Sequence, residues 1–111
     1  MFIELPAFER HRADYLDDSQ FQALQLVLMA NPEAGDVIPA TGGLRKLRFA
    51  DRRRRKGTRS GLRVIFYYWT GGPQFWLFTL CDKDEMSDLT PDEKAVLRDR
   101  LKAELKARKA S

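Results

Sequence analysis

The sequence predicts an α+β domain: a mainly antiparallel, four-stranded sheet with two N-terminal helices and one C-terminal helix, in the order β-α-α-β-β-β-α. Three observations predict it. Apolar side chains recur at helical spacing between residues 6 and 30. From residue 44 to residue 80 the period shortens to two, in runs of β-branched and aromatic residues separated by turns. At Thr90 a capping signature opens an amphipathic segment. A chain of 111 residues is one domain's worth, so residues 1–111 are read as a single unit.

Phe2 to Leu5 reads as a first short strand, which Pro6 ends while opening a helix. Phe8, His11 or Arg12, and Tyr15 carry that helix to about Leu16. Asp17-Asp18-Ser19 offers the next N-cap, and Phe21, Leu24 and Leu28 form the buried stripe of a second helix, with Val27 beside them. Asn31-Pro32 stops it. Residues 33–43, with Pro39 and Gly42-Gly43, read as an irregular connection. Leu44 to Phe49, Leu62 to Trp69 and Gln74 to Leu80 are three strands of a meander, and their short links favour antiparallel pairing. Thr90 caps the last helix, Pro91 takes its first position and Glu93 bonds back to the cap. That helix is expected to bury Leu97, Leu101 and Leu105, with Ala95 and Val96 alongside, and to fray from Ala107 onward. With the helices on one face, the other face of the sheet is expected to stay open to solvent or ligand.

Composition narrows the function classes. At 43% hydrophobic and 32% charged, the chain is neither a disordered segment nor a membrane span. Its longest apolar run, Val64 to Trp69, falls far short of the ~20 residues a spanning helix needs. The start Met1-Phe2-Ile3-Glu4-Leu5-Pro6 lacks the pattern of a signal peptide. A single cysteine, Cys81, excludes an internal disulfide and a structural zinc finger. A soluble cytoplasmic domain is expected, with no membrane contact.

Charge is distributed unevenly. Residues 1–39 hold seven acidic and two basic side chains, whereas residues 40–78 hold ten basic side chains and one acid, Asp51. Half of all Lys and Arg lie between Arg45 and Arg63, including the run Arg52-Arg53-Arg54-Arg55-Lys56 and Arg59. This is the electrostatic footprint of a polyanion site. Strand alternation extends it beyond the loop. Lys46 and Arg48 point the same way, and on the next strand Arg63 shares a face with Ile65 and Tyr67. Leu62, Val64, Phe66 and Tyr68 make the better core face. Lys46, Arg48 and Arg63 are therefore expected to stand together, with no carboxylate on either strand. An anionic ligand best explains so unrelieved a cluster.

The remaining chemistry is restricted. The one histidine, His11, lies in a helix and completes no nucleophilic triad. No carboxylate pair sits beside the basic strands for glycosidase or two-metal work. Asp82, Asp84, Glu85 and Asp88 lack the glycine and spacing of a calcium loop. No cofactor and no metal are expected. A cationic site without acids suits phosphate, whose extra charge in a pentacoordinate transition state it stabilises. RNA brings its own nucleophile, the 2′-hydroxyl. A lysine among other cations has its charged form disfavoured, which fits it for base chemistry, while an arginine stays charged.

The residues resemble RelE/HigB-type toxins of bacterial type II toxin–antitoxin modules, in particular the HigB-like branch. The resemblance lies in Asn31-Pro32 through Gly35-Asp36-Val37-Ile38, in Thr41-Gly42-Gly43-Leu44-Arg45-Lys46-Leu47-Arg48, in Gly61-Leu62-Arg63-Val64-Ile65-Phe66-Tyr67-Tyr68 and in Lys83-Asp84-Glu85-Met86-Ser87-Asp88-Leu89-Thr90. It implies a RelE-like microbial RNase fold and a ribosome-dependent mRNA endoribonuclease that cuts in the A site without metal, by attack of the 2′-hydroxyl on the adjacent phosphate. It also implies a cognate antitoxin, often a helix-turn-helix, HigA-like protein. The family's basic residues fall here on Lys46, Arg48, Arg63 and Lys83. Lys46 is then the candidate base, Arg48 and Arg63 the phosphate clamp, and Lys83 the group assisting at the leaving oxygen. Arg45, Arg52, Arg53, Arg54, Arg55, Lys56 and Arg59 would add affinity without base specificity. Where enteric members carry an arginine and a C-terminal tyrosine, this chain has Asp84 and Thr90, which leaves the general acid unassigned. Two other readings stay open: a nucleic-acid-binding module that does not cut, and a degenerate toxin that only binds its antitoxin.

Overall fold

The computed structural model describes residues 1–49, 62–82 and 89–110. Its elements are β1 (Phe2–Glu4), α1 (Pro6–Tyr15), α2 (Asp18–Ala30), β2 (Asp36–Val37), β3 (Arg45–Phe49), β4 (Leu62–Trp69), β5 (Gln74–Asp82) and α3 (Pro91–Ala110). The α+β class and the three helices are as expected, but the sheet has five strands in the order β1-β5-β4-β3-β2. The fifth is β2, inside the stretch read as irregular. It is two residues long and both are exposed, so neither alternation nor an apolar run announces it. The sheet is also mixed: β1 runs parallel to β5, while the remaining pairs are antiparallel.

Local signals explain where the helices begin. Pro6 occupies the first turn of α1, where its missing N–H costs nothing. Asp17 accepts from the Gln20 backbone N–H at 2.8 Å, and the Gln20 side chain accepts from the Asp17 backbone N–H at 2.9 Å, closing a capping box at α2. Thr90 and Glu93 form the same reciprocal pair at the start of α3, with distances of 3.0 and 3.1 Å. Arg12 fastens the N-terminal layer together. Its Nε donates to Glu4 Oε1 at 2.7 Å, and its guanidinium lies 4.5 Å from the centre of the Phe21 ring.

Alternation along β4 divides the core in two. Leu62, Val64 and Phe66 pack with Phe8, Leu24 and Leu28 of α1 and α2. Ile65 turns the other way and packs with Trp76, Phe78, Leu44 and Leu101. A bulge in β5 keeps this division. Phe66 pairs with Leu77 and Ile65 with Thr79, so Phe78 is the extra residue. Leu77 and Leu80 consequently both face the α1/α2 side, three positions apart, while Phe78 reaches the opposite core.

That second core corrects the expectation of one open face. Helix α3 crosses the side opposite α1 and α2, where Leu97, Leu101 and Leu105 meet Trp76, Tyr67 and Trp69. The leucine stripe is as expected, but Val96, expected beside it, is 68% exposed, and Val27 of α2 is 41% exposed. Nor does the helix fray at Ala107. It continues to Ala110, and the Arg108 guanidinium lies 5.4 Å from the centre of the Trp76 ring. Among the described residues, no helix is long and apolar enough to cross a membrane.

Candidate nucleic-acid interface

The β3–β4 ladder brings together three of the basic residues singled out above. Arg48 pairs directly with Arg63, and Lys46 pairs with Ile65, two positions along on the same face. Opposite residues in such a ladder have their Cβ atoms about 4.5–5.5 Å apart. All three line one cleft of about 340 Å³, together with Leu47, Gly35 and Asp36. That volume reaches the lower end of the ~300–1,000 Å³ typical of small-molecule sites. The face is therefore shared: α3 packs with Ile65 and Trp76, and Lys46, Arg48 and Arg63 line a cleft to which no described residue of α3 contributes.

Arg63 is the unusual member. It is only 8% exposed, and its Nη1 has no hydrogen-bond partner among the described residues. Leaving a buried donor unpaired costs about 1–3 kcal/mol, and more for a charged group. Arg63 nevertheless contributes to the wall of the cleft, beside its register partner Arg48. Arg48 by contrast is exposed and Lys46 is half-buried.

One carboxylate went unnoticed on the sequence. Asp36 on β2 is the register partner of Lys46, so the cluster is not purely cationic. A glycine sets this edge of the site. Gly35 has φ +79°, and a Cβ there would sit 2.3 Å from the Lys46 carbonyl oxygen. Only a residue without a side chain lets β2 approach β3 so closely.

Lys46 and Asp36 also line a second, adjoining cleft of about 170 Å³. Its other walls are Val37, Ile38, Pro39, Leu89 and Lys94. Lys94 was likewise missed, although a signal existed. The cap at Thr90 fixes the helix frame, and Lys94 then extends the Leu97–Leu101 stripe by one step toward the sheet.

Arg45 stands apart from the cluster. It pairs with Phe66 on the α1/α2 side, and its Nη1 donates to the Glu33 carbonyl at 2.9 Å and the Gly35 carbonyl at 3.3 Å. Tyr67 packs against Trp76 with ring centres 5.5 Å apart. Arg52, Arg53, Arg54, Arg55, Lys56, Arg59 and Lys83 lie outside the described residues.

A larger groove of about 580 Å³ runs between α3 and the start of α1. It is lined mainly by apolar side chains such as Leu5, Phe78, Val96 and Leu97, with no cluster of convergent charge. Among the described residues, convergent positive charge lines the two smaller clefts instead. No protein-family model matches the chain.

Proposed function

We propose that this protein is a ribosome-dependent mRNA endoribonuclease, the toxin of a type II toxin–antitoxin pair, of the RelE/HigB type and with the corresponding microbial RNase fold. The observation that carries the reading is the in-register pair Arg48–Arg63, with a buried guanidinium N–H unpartnered among the described residues. The two arginines hold the scissile phosphate and stabilise the charge that develops on it. The 2′-oxygen attacks phosphorus while its proton passes to Lys46. The bond to the 5′-oxygen breaks, leaving a 2′,3′-cyclic phosphate, and the departing oxygen takes a proton from the Lys83 ammonium to become a 5′-hydroxyl. The basic residues 52–59 grip the ribosome or message through phosphates. The partners are the A-site message and a helix-turn-helix, HigA-like antitoxin that neutralises the toxin.

Induced expression of the chain, followed by mapping of mRNA 5′ ends, tests this reading. Growth arrest with new 5′ ends inside translated codons supports it, provided that both effects vanish in Arg63→Ala and Arg48→Ala. Arrest without new ends identifies a binder that does not cut. Full toxicity in Arg63→Ala and Lys46→Ala removes the site assignment.

A further inference from the structure

We infer that helix α2 carries a self-association surface, on which two copies of the chain pair antiparallel about a two-fold axis. That surface lies on the opposite side of the sheet from the cationic clefts, and nothing in it depends on the proposed nuclease activity.

Helix α2 has two apolar stripes. Phe21, Leu24 and Leu28 face the core. On the far side Ala23, Leu26, Val27 and Ala30 follow one another at positions i, i+3, i+4 and i+7, and all four are exposed. Leu26 is 58% exposed, Val27 41% and Met29, beside them, 54%. These are three of the six large hydrophobic side chains exposed among the described residues. A helix that is apolar all round is ordinarily covered all round. Charge does not interrupt the outer stripe either. Residues 19–32 hold no Asp, Glu, Lys or Arg, in a chain that is 32% charged.

Charge around the stripe selects its occupant. A partner steered in by charge would find none between Asp18 and Glu33. An identical stripe meets no like charge there, which an isologous contact requires. The ends then fix the direction. Asp18 flanks the N-terminal end, its carboxylate fully exposed and 3.9 Å from Arg12. At the C-terminal end the Arg45 guanidinium donates to the carbonyls of Glu33 and Gly35. Antiparallel pairing centred between Leu26 and Val27 sets Ala23 of each copy against Ala30 of the other. It also brings unlike charges together crosswise, Asp18 toward Arg45 and Arg12 toward Glu33, and lays opposite ends of the two helix dipoles side by side. Parallel pairing would set Asp18 against Asp18 and Arg45 against Arg45. One helix of 13 residues, about 20 Å long, covers less than the roughly 800 Å² per partner of a standard stable interface. The pair is therefore weak, half-assembled at a concentration on the order of 100 µM.

Sedimentation equilibrium of the full-length chain, from about 10 µM to about 1 mM, tests the surface. The mass should rise from 12.9 kDa toward twice that value. The double variant Leu26→Gln, Val27→Gln keeps good helix formers at exposed positions, so its circular dichroism and melting should match the parent. Its assembly should weaken about tenfold or more, the loss expected of two central anchors. Cross-linking reads the direction. In a Cys81→Ser background, chains with Ala23→Cys mixed with chains carrying Ala30→Cys should form a mixed disulfide. Neither should link to itself, because antiparallel copies of either position lie about 10 Å apart along the axis, beyond disulfide reach. A mass fixed at 12.9 kDa across the range overturns the proposal, as does a dimer that the double variant leaves intact. Self-linking through Ala23→Cys alone means parallel pairing and removes the two-fold geometry. If the chain stays monomeric and Ala30→Cys links in cells only to a different polypeptide, the stripe belongs to that partner instead. Cleavage of mRNA is scored separately, so a dimer that cuts nothing keeps this surface and loses the nuclease.

Discussion

Arg48 and Arg63 are direct partners across the β3–β4 ladder, and they share the face that carries Lys46. Like charges placed opposite each other destabilise a sheet. The Nη1 of Arg63, buried and without a partner among the described residues, adds to that cost. Stability and ligand binding should therefore pull in opposite directions here. Arg63→Met keeps the stem and removes the charge. It should raise the unfolding free energy by about 1–2 kcal/mol in urea titrations, as replacement of buried charge by apolar volume often does. The same variant should lose at least tenfold in affinity for single-stranded RNA. A less stable Arg63→Met would mean that internal partners already satisfy the guanidinium.

That pair was legible in the sequence because alternation is local. Leu62, Val64 and Phe66 announce the core face of β4, and Arg63 must then point away from it. Helix α3 was legible as a leucine stripe, but not the face it covers. Four-residue spacing identifies the buried side of a helix without saying which side of the sheet receives it. Asp36 was hidden for a related reason: a two-residue strand has no periodicity, so nothing in the chain placed its carboxylate beside Lys46. The bulge at Phe78 likewise has no local signal, since one extra residue in a continuous apolar strand reads as more strand.

Gly35 should be as sensitive as any cationic residue, although it carries no charge. Alanine there meets two penalties, a left-handed backbone at φ +79° and a Cβ 2.3 Å from the Lys46 carbonyl oxygen. The backbone term alone is about 1–2 kcal/mol. Gly35→Ala should lower the melting temperature by several degrees and weaken RNA binding by displacing β3 under Lys46. At Gly42, also left-handed, the nearest atom to a new Cβ is a Leu101 side-chain carbon at 3.5 Å, so Gly42→Ala should cost the backbone term alone. Equal melting temperatures for the two variants would contradict the close approach of β2 to β3.

The last turn of α3 should depend on Arg108. With its guanidinium 5.4 Å from the Trp76 ring centre, Arg108→Gln removes a contact of about 0.5–1 kcal/mol. Amide exchange should speed up in the final turn of the helix while the turns around Leu101 keep their protection. Tryptophan emission should shift as the ring loses its cover. Unchanged exchange would mean that the final turn is held by something other than this contact.

Asp36 offers the sharpest division between binding and chemistry. It is exposed, it lines both clefts, and it is the one carboxylate among their lining residues. An incoming phosphate is repelled by it. Two charges 4 Å apart in water interact by about 1 kcal/mol, roughly a fivefold effect on affinity. Asp36→Asn should therefore tighten binding of single-stranded RNA about fivefold at low salt, and the gain should shrink as salt screens the site. Because Lys46 is assigned the proton of the 2′-hydroxyl, cleavage at saturating RNA should stay within about twofold of the parent rate. Tighter binding combined with a collapse of that rate would move the proton to Asp36. Lys46 would then be left as a purely electrostatic partner of the phosphate.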